Sequence, residues 1–269
     1  MATLTDPAEE LVDACERLIR ANSNHSGEHA LANAFGVEAW SKEYFQIIFC
    51  LVEQAERVLD ALKAERPSEA MIERAQIHTN GVRQALSGPI LSTPWNNAGS
   101  TRQLLREHTP PIAMLSPTVA RVSSYPKLSS EEIADLVADI DQLISWLTDH
   151  QLEEQDILRR ALIDGLVVYR LRLARVGWLG WNYSADALRS TIGAYLALDR
   201  GQHTADTTPI TEAALKLVGG LFSKLWGVAG VVHDATDRVG TAIKLYGMVT
   251  MVRDGTPIVA ALTHQLGSS

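Results

Sequence analysis

Residues 216–233 read KLVGGLFSKLWGVAGVVH, and their periodicity decides the fold class. At about 100° per residue, Leu217, Val218, Leu221, Phe222, Leu225, Trp226, Val228, Ala229 and Val232 share one half of a helix. Lys216, Gly219, Gly220, Ser223, Lys224, Gly227 and Gly230 occupy the other half, and Val231 alone breaks the partition. A strand or loop would not separate the two classes in this way. Each glycine costs a helix about 0.8–1 kcal/mol relative to alanine, so a contact outside the helix has to offset them. Small residues on one face allow another backbone to approach closely, which makes Gly220, Ser223, Gly227 and Gly230 the expected close-packing face. Leu217, Leu221, Phe222, Leu225, Trp226 and Val228 form the expected interaction or membrane face. The nine apolar side chains of that half amount to an area on the order of 900 Å², more than soluble monomers leave exposed.

Asp234 and Asp237 follow as caps for a second helix over residues 238–252. That helix is apolar at Val239, Ile243, Leu245, Tyr246, Met248 and Val249, and Gly240 and Gly247 share a face. Residues 211–252 thus read as a tightly packed, glycine-containing helical hairpin. Lysines on the polar face of an apolar helix also suit a bilayer interface. Neither helix has the ~18 uninterrupted apolar residues of a membrane span.

The rest of the chain carries the same helical period. Asp6-Pro7-Ala8-Glu9 is a helix start, with a cap and a proline in the first turn. Residues 37–64 repeat Trp40, Tyr44, Ile47, Ile48, Leu51, Ala55, Val58, Leu59 and Leu62 at helical spacing. Phe45, Phe49 and Cys50 widen that apolar face, which predicts a central position. Ser68 caps a weaker helix reaching about Ser87. Six of the ten prolines then fall within residues 89–128. Only residues 101–108 look helical there, and Ile90, Leu91, Trp95, Ile112, Met114, Leu115 and Val119 predict an ordered crossover packed on the helices rather than a polar linker.

Ser129-Ser130-Glu131-Glu132 is a capping box. Ile133, Leu136, Val137, Ile140, Leu143, Ile144 and Leu147 continue it as a stripe. Nine acids and no lysine or arginine lie between Ser129 and Asp156. Residues 152–176 form a basic helix whose apolar residues on several sides predict burial on more than one face. Arg160 and Asp164 are spaced to pair. Its arginines should meet the preceding acids. Alternatively Arg159, Arg170, Arg172 and Arg175 converge on a small anion. Residues 177–182 form a turn with two indoles, and Ser184 caps a helix to about Asp199.

Composition narrows the function. The net charge of −8 argues against nucleic acid, whose binding needs basic surface. Two cysteines, Cys15 and Cys50, allow no disulfide framework, and the acidic, polar start is unlike a secretory leader. These features predict a cytoplasmic protein, with peripheral membrane contact as the variant. His25-Ser26-Gly27-Glu28-His29 has the spacing of an H-x-x-E-H zinc site and, with Glu107 downstream, resembles the inverted zinc peptidases over three residues. Gly27 inside the motif and the absence of any strand set favour a polar helix start instead. No nucleophile elbow, phosphate loop or dinucleotide fingerprint occurs, so no catalytic residue, metal or cofactor is expected.

The expected fold is all-α, an irregular multi-helix bundle of about eight helices ending in the 211–252 hairpin. Its expected divisions are residues 1–88, a proline-rich crossover at 89–128, and residues 129–269, within one compact unit. The expected function is a non-catalytic interaction protein that binds a protein partner or itself through the hairpin. The alternatives are a membrane-perturbing effector that releases the same hairpin, and an enzyme or anion binder built on the arginine helix.

Overall fold

The computed structural model of the chain describes residues 4–21, 23–152, 155–202 and 209–228. The side chains of residues 126, 182, 186, 200–202, 223 and 226–228 lie outside that description, as do Gly230 and the second helix expected over residues 238–252. Among the described residues the chain is helical, apart from one short antiparallel ladder. In it β1 (Leu4–Thr5) pairs with β2 (Tyr125–Pro126). The described residues hold twelve helices, more than apolar periodicity predicts. The surplus consists of short helices, too brief to leave a periodic signature.

The first group begins with α1 (Pro7–Arg20). Asp6 caps it as its sequence predicts, its carboxylate accepting from Ala8 N at 2.8 Å and Glu9 N at 3.2 Å. Then come α2 (Gly27–Phe35), α3 (Lys42–Ala64) and α4 (Glu69–Ala85). The proline-rich segment supplies α5 (Gly88–Leu91), α6 (Thr101–Ala113) and α7 (Ser116–Val119). It is built into the first core, where Leu91, Trp95, Leu105, Ile112, Leu115 and Val119 pack with Leu11, Leu18, Tyr44, Leu51 and Val58. Trp95 is 1 % exposed and its indole N–H donates to Ala21 O at 2.9 Å. Thr101 Oγ1 donates to Ala85 O at 2.8 Å. α6 runs past the expected stop at His108 and carries Pro110 and Pro111 inside it. Burial of Thr109 and Ile112 holds the last turn in place; tertiary packing overrides local preference.

The second group is α8 (Ser130–Asp149), α9 (Asp156–Ala174), α11 (Trp181–Gln202) and α12 (Pro209–Val228). The capping box at Ser129 and Glu132 forms as predicted. Ser184 lies inside α11, three residues past its start, and is not its cap. A second core joins Leu136, Ile140, Leu162, Leu166, Tyr169, Leu188, Ile192, Tyr195, Val218 and Phe222. Between the groups sits α10 (Val176–Leu179), which packs on α1, α3, α9 and α11.

α9 and α11 make the most extensive helix contact among these elements, and Gly165 is the reason they can. A Cβ built there would stand 2.6 Å from Thr191 Oγ1 and 3.3 Å from Thr191 Cα. Gly165→Ala would gain helix propensity worth about 1 kcal/mol but forces α11 outward, with overpacking that costs typically ~1–3 kcal/mol. The expected outcome is a net fall in stability. Urea denaturation checks it, since an unchanged or raised midpoint would mean that α11 gives way freely.

Candidate functional site

α12 uses its apolar face inside the protein. Leu221, Phe222 and Leu225 are buried against α8 and α11, with the Phe222 ring edge-on to Tyr195 at 5.2 Å. The face expected to meet a partner is therefore core at these positions, because the second group needs it to cover Leu136 and Ile140. Leu217 is the exception, at 43 % exposure. Gly220 is exposed, and a Cβ there would meet nothing within 4 Å among the described residues. Ser223, Trp226, Gly227 and Val228 lie in the described backbone of α12 but their side chains do not.

The arginines do not converge on one point. Arg159 is buried and bridges Asp156 Oδ1 at 2.5 Å to Leu147 O at 2.7 Å, closing the end of α8. Arg160 also takes Asp156, at 3.1 Å, rather than the expected Asp164. Arg170 forks onto Asp141 at 2.9 and 3.0 Å. Arg172 stacks over Tyr183 at 3.9 Å and donates to its carbonyl at 2.8 Å. Arg175 pairs with Glu43 at 3.0 Å. Complementary pairing with the acids of residues 129–156 thus holds for Arg159, Arg160 and Arg170. Only Arg172 and Arg175 share a surface.

That surface is a groove of about 860 Å³ between α3 and α9. From α3 it takes Phe45, Phe49 and Val52, spaced to fall on one helix face. From α9 it takes Val168, Leu171 and Arg172, with Arg175 at the helix C-cap. Both stripes are open: Phe45 is 51 % exposed, Phe49 60 % and Leu171 54 %. The sequence predicts a central α3 and an α9 buried on several faces. The structure instead buries Tyr44, Ile47, Cys50, Leu51 and Val58 and leaves Phe45 and Phe49 outside. α10 closes one end by packing on both helices. Trp40 extends the aromatic stripe from a left-handed backbone, φ 63°, with its ring 5.8 Å from Phe45. A bulky residue holds that conformation only where its surroundings enforce it. Lys42 lies at the groove with no carboxylate partner among the described residues. Arg175 Nη1 is buried without an acceptor.

A second feature went unread in the sequence. Glu10 on α1 reaches the start of α11, where its carboxylate accepts from Trp181 N at 3.1 Å and from the Tyr125 hydroxyl at 2.7 Å. An unpaired first-turn N–H is thereby satisfied from a distant helix. Burial pushes the Glu10 carboxyl up from 4.5 to about 7, against the lowering effect of the Tyr125 and Trp181 hydrogen bonds and of Arg57. Nothing in local spacing signals a partner so far along the chain.

Other chemistry is sparse. Cys15 and Cys50 are buried thiols raised to about 12 by burial, far from a reactive thiolate. His25 and His29 are exposed, and Glu107 lies near His78 instead. His78 and His108 approach Nδ1 to Nδ1 at 3.2 Å. No group of three or more His, Cys, Asp or Glu suited to a metal occurs among the described residues. No described helix is long and apolar enough to cross a membrane. No family model matches the sequence, and comparison with curated proteins and with solved structures gave no match.

Glu10 makes stability depend on pH. Its carboxyl titrates near 7 when folded and near 4.5 when free. Its stabilising contribution is therefore full below about pH 4.5 and is lost as pH rises through about 7. Gln keeps one acceptor oxygen for Trp181 N, presents an NH2 that the rotatable Tyr125 hydroxyl can accept, and cannot ionise. Glu10→Gln should flatten the fall in urea midpoint across this window and be more stable than the parent above it. Parallel slopes for the two proteins would show that the carboxyl does not titrate there.

Proposed function

We propose that this chain is a non-catalytic helical interaction protein that receives one amphipathic helix of a protein partner in the groove between α3 and α9. The open aromatic stripe of Phe45 and Phe49 carries the reading. Contiguous exposed apolar surface marks interaction sites, and aromatic residues flanked by arginine are the usual energetic anchors of interfaces. Two facing helical stripes match the anchors of a helix laid in a groove.

Charge selects the partner. The chain is acidic overall, with a net charge of −8. At the groove, Lys42 offers a donor that an acidic side chain would satisfy. A helix with apolar anchors and aspartate or glutamate toward the α10 end fits the stripe and this donor. The interaction reading thereby moves from the hairpin to α3 and α9, since Leu221, Phe222 and Leu225 are enclosed.

A library of amphipathic helical peptides panned on the intact protein, with counter-selection on Phe49→Ser, tests this. Peptides with apolar residues at helical spacing and acids at one end should be enriched. Phe49→Ser should weaken them by roughly 30-fold or more, the scale of an interface hot spot. Lys42→Glu should slow association and reduce its salt dependence. A library that shows no preference between parent and variant would overturn the proposal. A concentration-dependent dimer dissolved by Phe49→Ser would replace the partner with a second copy, and Phe49-dependent binding to anionic vesicles would replace it with lipid.

A further inference from the structure

α4 and α6 pack along one another, and two histidines meet between them. His78 on α4 and His108 on α6 bring their Nδ1 atoms to 3.2 Å, with the ring planes 53° apart. Both side chains are half-buried, so solvent reaches the pair. Neither ring has another hydrogen-bond partner among the described residues. Two N–H groups would clash at this separation, and two bare lone pairs would repel. The pair is satisfied only by one electropositive centre shared between the rings: a hydrogen carried by one of them, or a cation bound by both.

The spacing suits a metal ion. Bonds from imidazole nitrogen to zinc are about 2.0–2.1 Å long. Two such bonds to nitrogens 3.2 Å apart meet at roughly 100°, between the square-planar and tetrahedral angles. The placement of His108 is built into the fold. Gly81 follows His78 by one turn of α4 and is buried, and the His108 ring lies directly on it. A Cβ at Gly81 would stand 2.1 Å from His108 Cδ2 and 2.3 Å from its Cγ and Nε2. The Cδ2 edge of the ring therefore rests on α4, and Nδ1 is left on the edge that faces His78. Glycine inside a helix forgoes the propensity that alanine would supply, and at Gly81 it makes room for one imidazole. Glu107, beside His108, acts on His78 and adds negative charge to the site.

We propose that His78 and His108 chelate one divalent transition-metal ion of the imidazole-binding class, Cu²⁺, Ni²⁺ or Zn²⁺, through their Nδ1 atoms, tying the proline-containing α6 to α4. No third His, Cys, Asp or Glu stands in place among the described residues, so water fills the other coordination positions. A small tilt of the rings aims both lone pairs at the ion. The ring that carries its hydrogen on Nδ1 in the free pair carries it on Nε2 once the ion is bound, so a neutral pair releases no net proton. Mg²⁺ and Ca²⁺, which take oxygen ligands, are not held.

Titration of the intact, metal-stripped protein with Cu²⁺, Ni²⁺ and Zn²⁺, read by calorimetry and by melting temperature, tests the site. One equivalent of Cu²⁺ should bind, more tightly than Ni²⁺ or Zn²⁺. The melting temperature should rise with ion concentration, because only the folded chain brings the two rings together. His78→Gln and His108→Gln should each weaken Cu²⁺ by about tenfold or more. Gly81→Ala keeps both imidazoles but displaces one, and should weaken it too. His25→Ala, which alters the H-x-x-E-H stretch, should leave it unchanged. Circular dichroism checks that each variant is folded. The electron paramagnetic resonance spectrum of the parent with one equivalent of Cu²⁺ needs no variant and should show coupling to two imidazole nitrogens. Absence of saturable binding at millimolar ion would overturn the proposal. So would coupling to fewer than two nitrogens, equal affinity in the parent and a folded His78→Gln or His108→Gln, or binding lost in His25→Ala.

Discussion

Trp178 and Trp181 leave one short turn toward different cores, and the two halves of the protein depend on that divergence. Trp178 packs against the first core with Phe35 edge-on at 5.0 Å, and Leu179 beside it is buried there. Trp181 packs against the second core. The intervening Gly180 adopts a left-handed φ that other residues rarely accept. Glu10 then fixes the start of α11 by accepting from Trp181 N. The groove borders this turn on its α3–α9 side, and Glu10 borders it on its α1 side.

Electrostatics add specificity more than stability. Most of the ion pairs are solvent-exposed, and such pairs contribute about 0–1 kcal/mol each. Arg170 with Asp141 orients α8 against α9, and Arg175 with Glu43 links α9 to α3 across the groove. Arg159 differs because it is buried. It neutralises Asp156 and satisfies the carbonyls of Leu147 and Thr148, which would otherwise be orphaned at the end of α8. The arginines of α9 thus divide between closing helix ends and tying neighbouring helices.

Helical class, the main helices and the caps at Asp6 and Ser129 were legible in the sequence because each rests on interactions within a few residues. Periodicity also located apolar arcs. It could not say which part of a wide arc another element would cover, so Phe45 and Phe49 on α3 read as core and lie on the surface. The same limit applies to Val168 and Leu171 on α9, and in reverse to Leu221 and Phe222 on α12. Arg160 chose Asp156 over Asp164, since both spacings are allowed and only the packed geometry distinguishes them. The Glu10 cluster was illegible for another reason. Its parts come from α1, β2 and the start of α11, and each is unremarked in its own neighbourhood.

The placement of Leu179 has a consequence for synthesis. The rest of the first core is drawn from residues between Ala8 and Val119. A ribosome working at about 5–20 residues per second delivers that part seconds before it delivers the α10 turn. A first half that folded as it emerged would present an unfilled apolar socket around Phe35 until Trp178 arrived to cover it. The turn that joins the two cores would then also be the plug that closes the first of them.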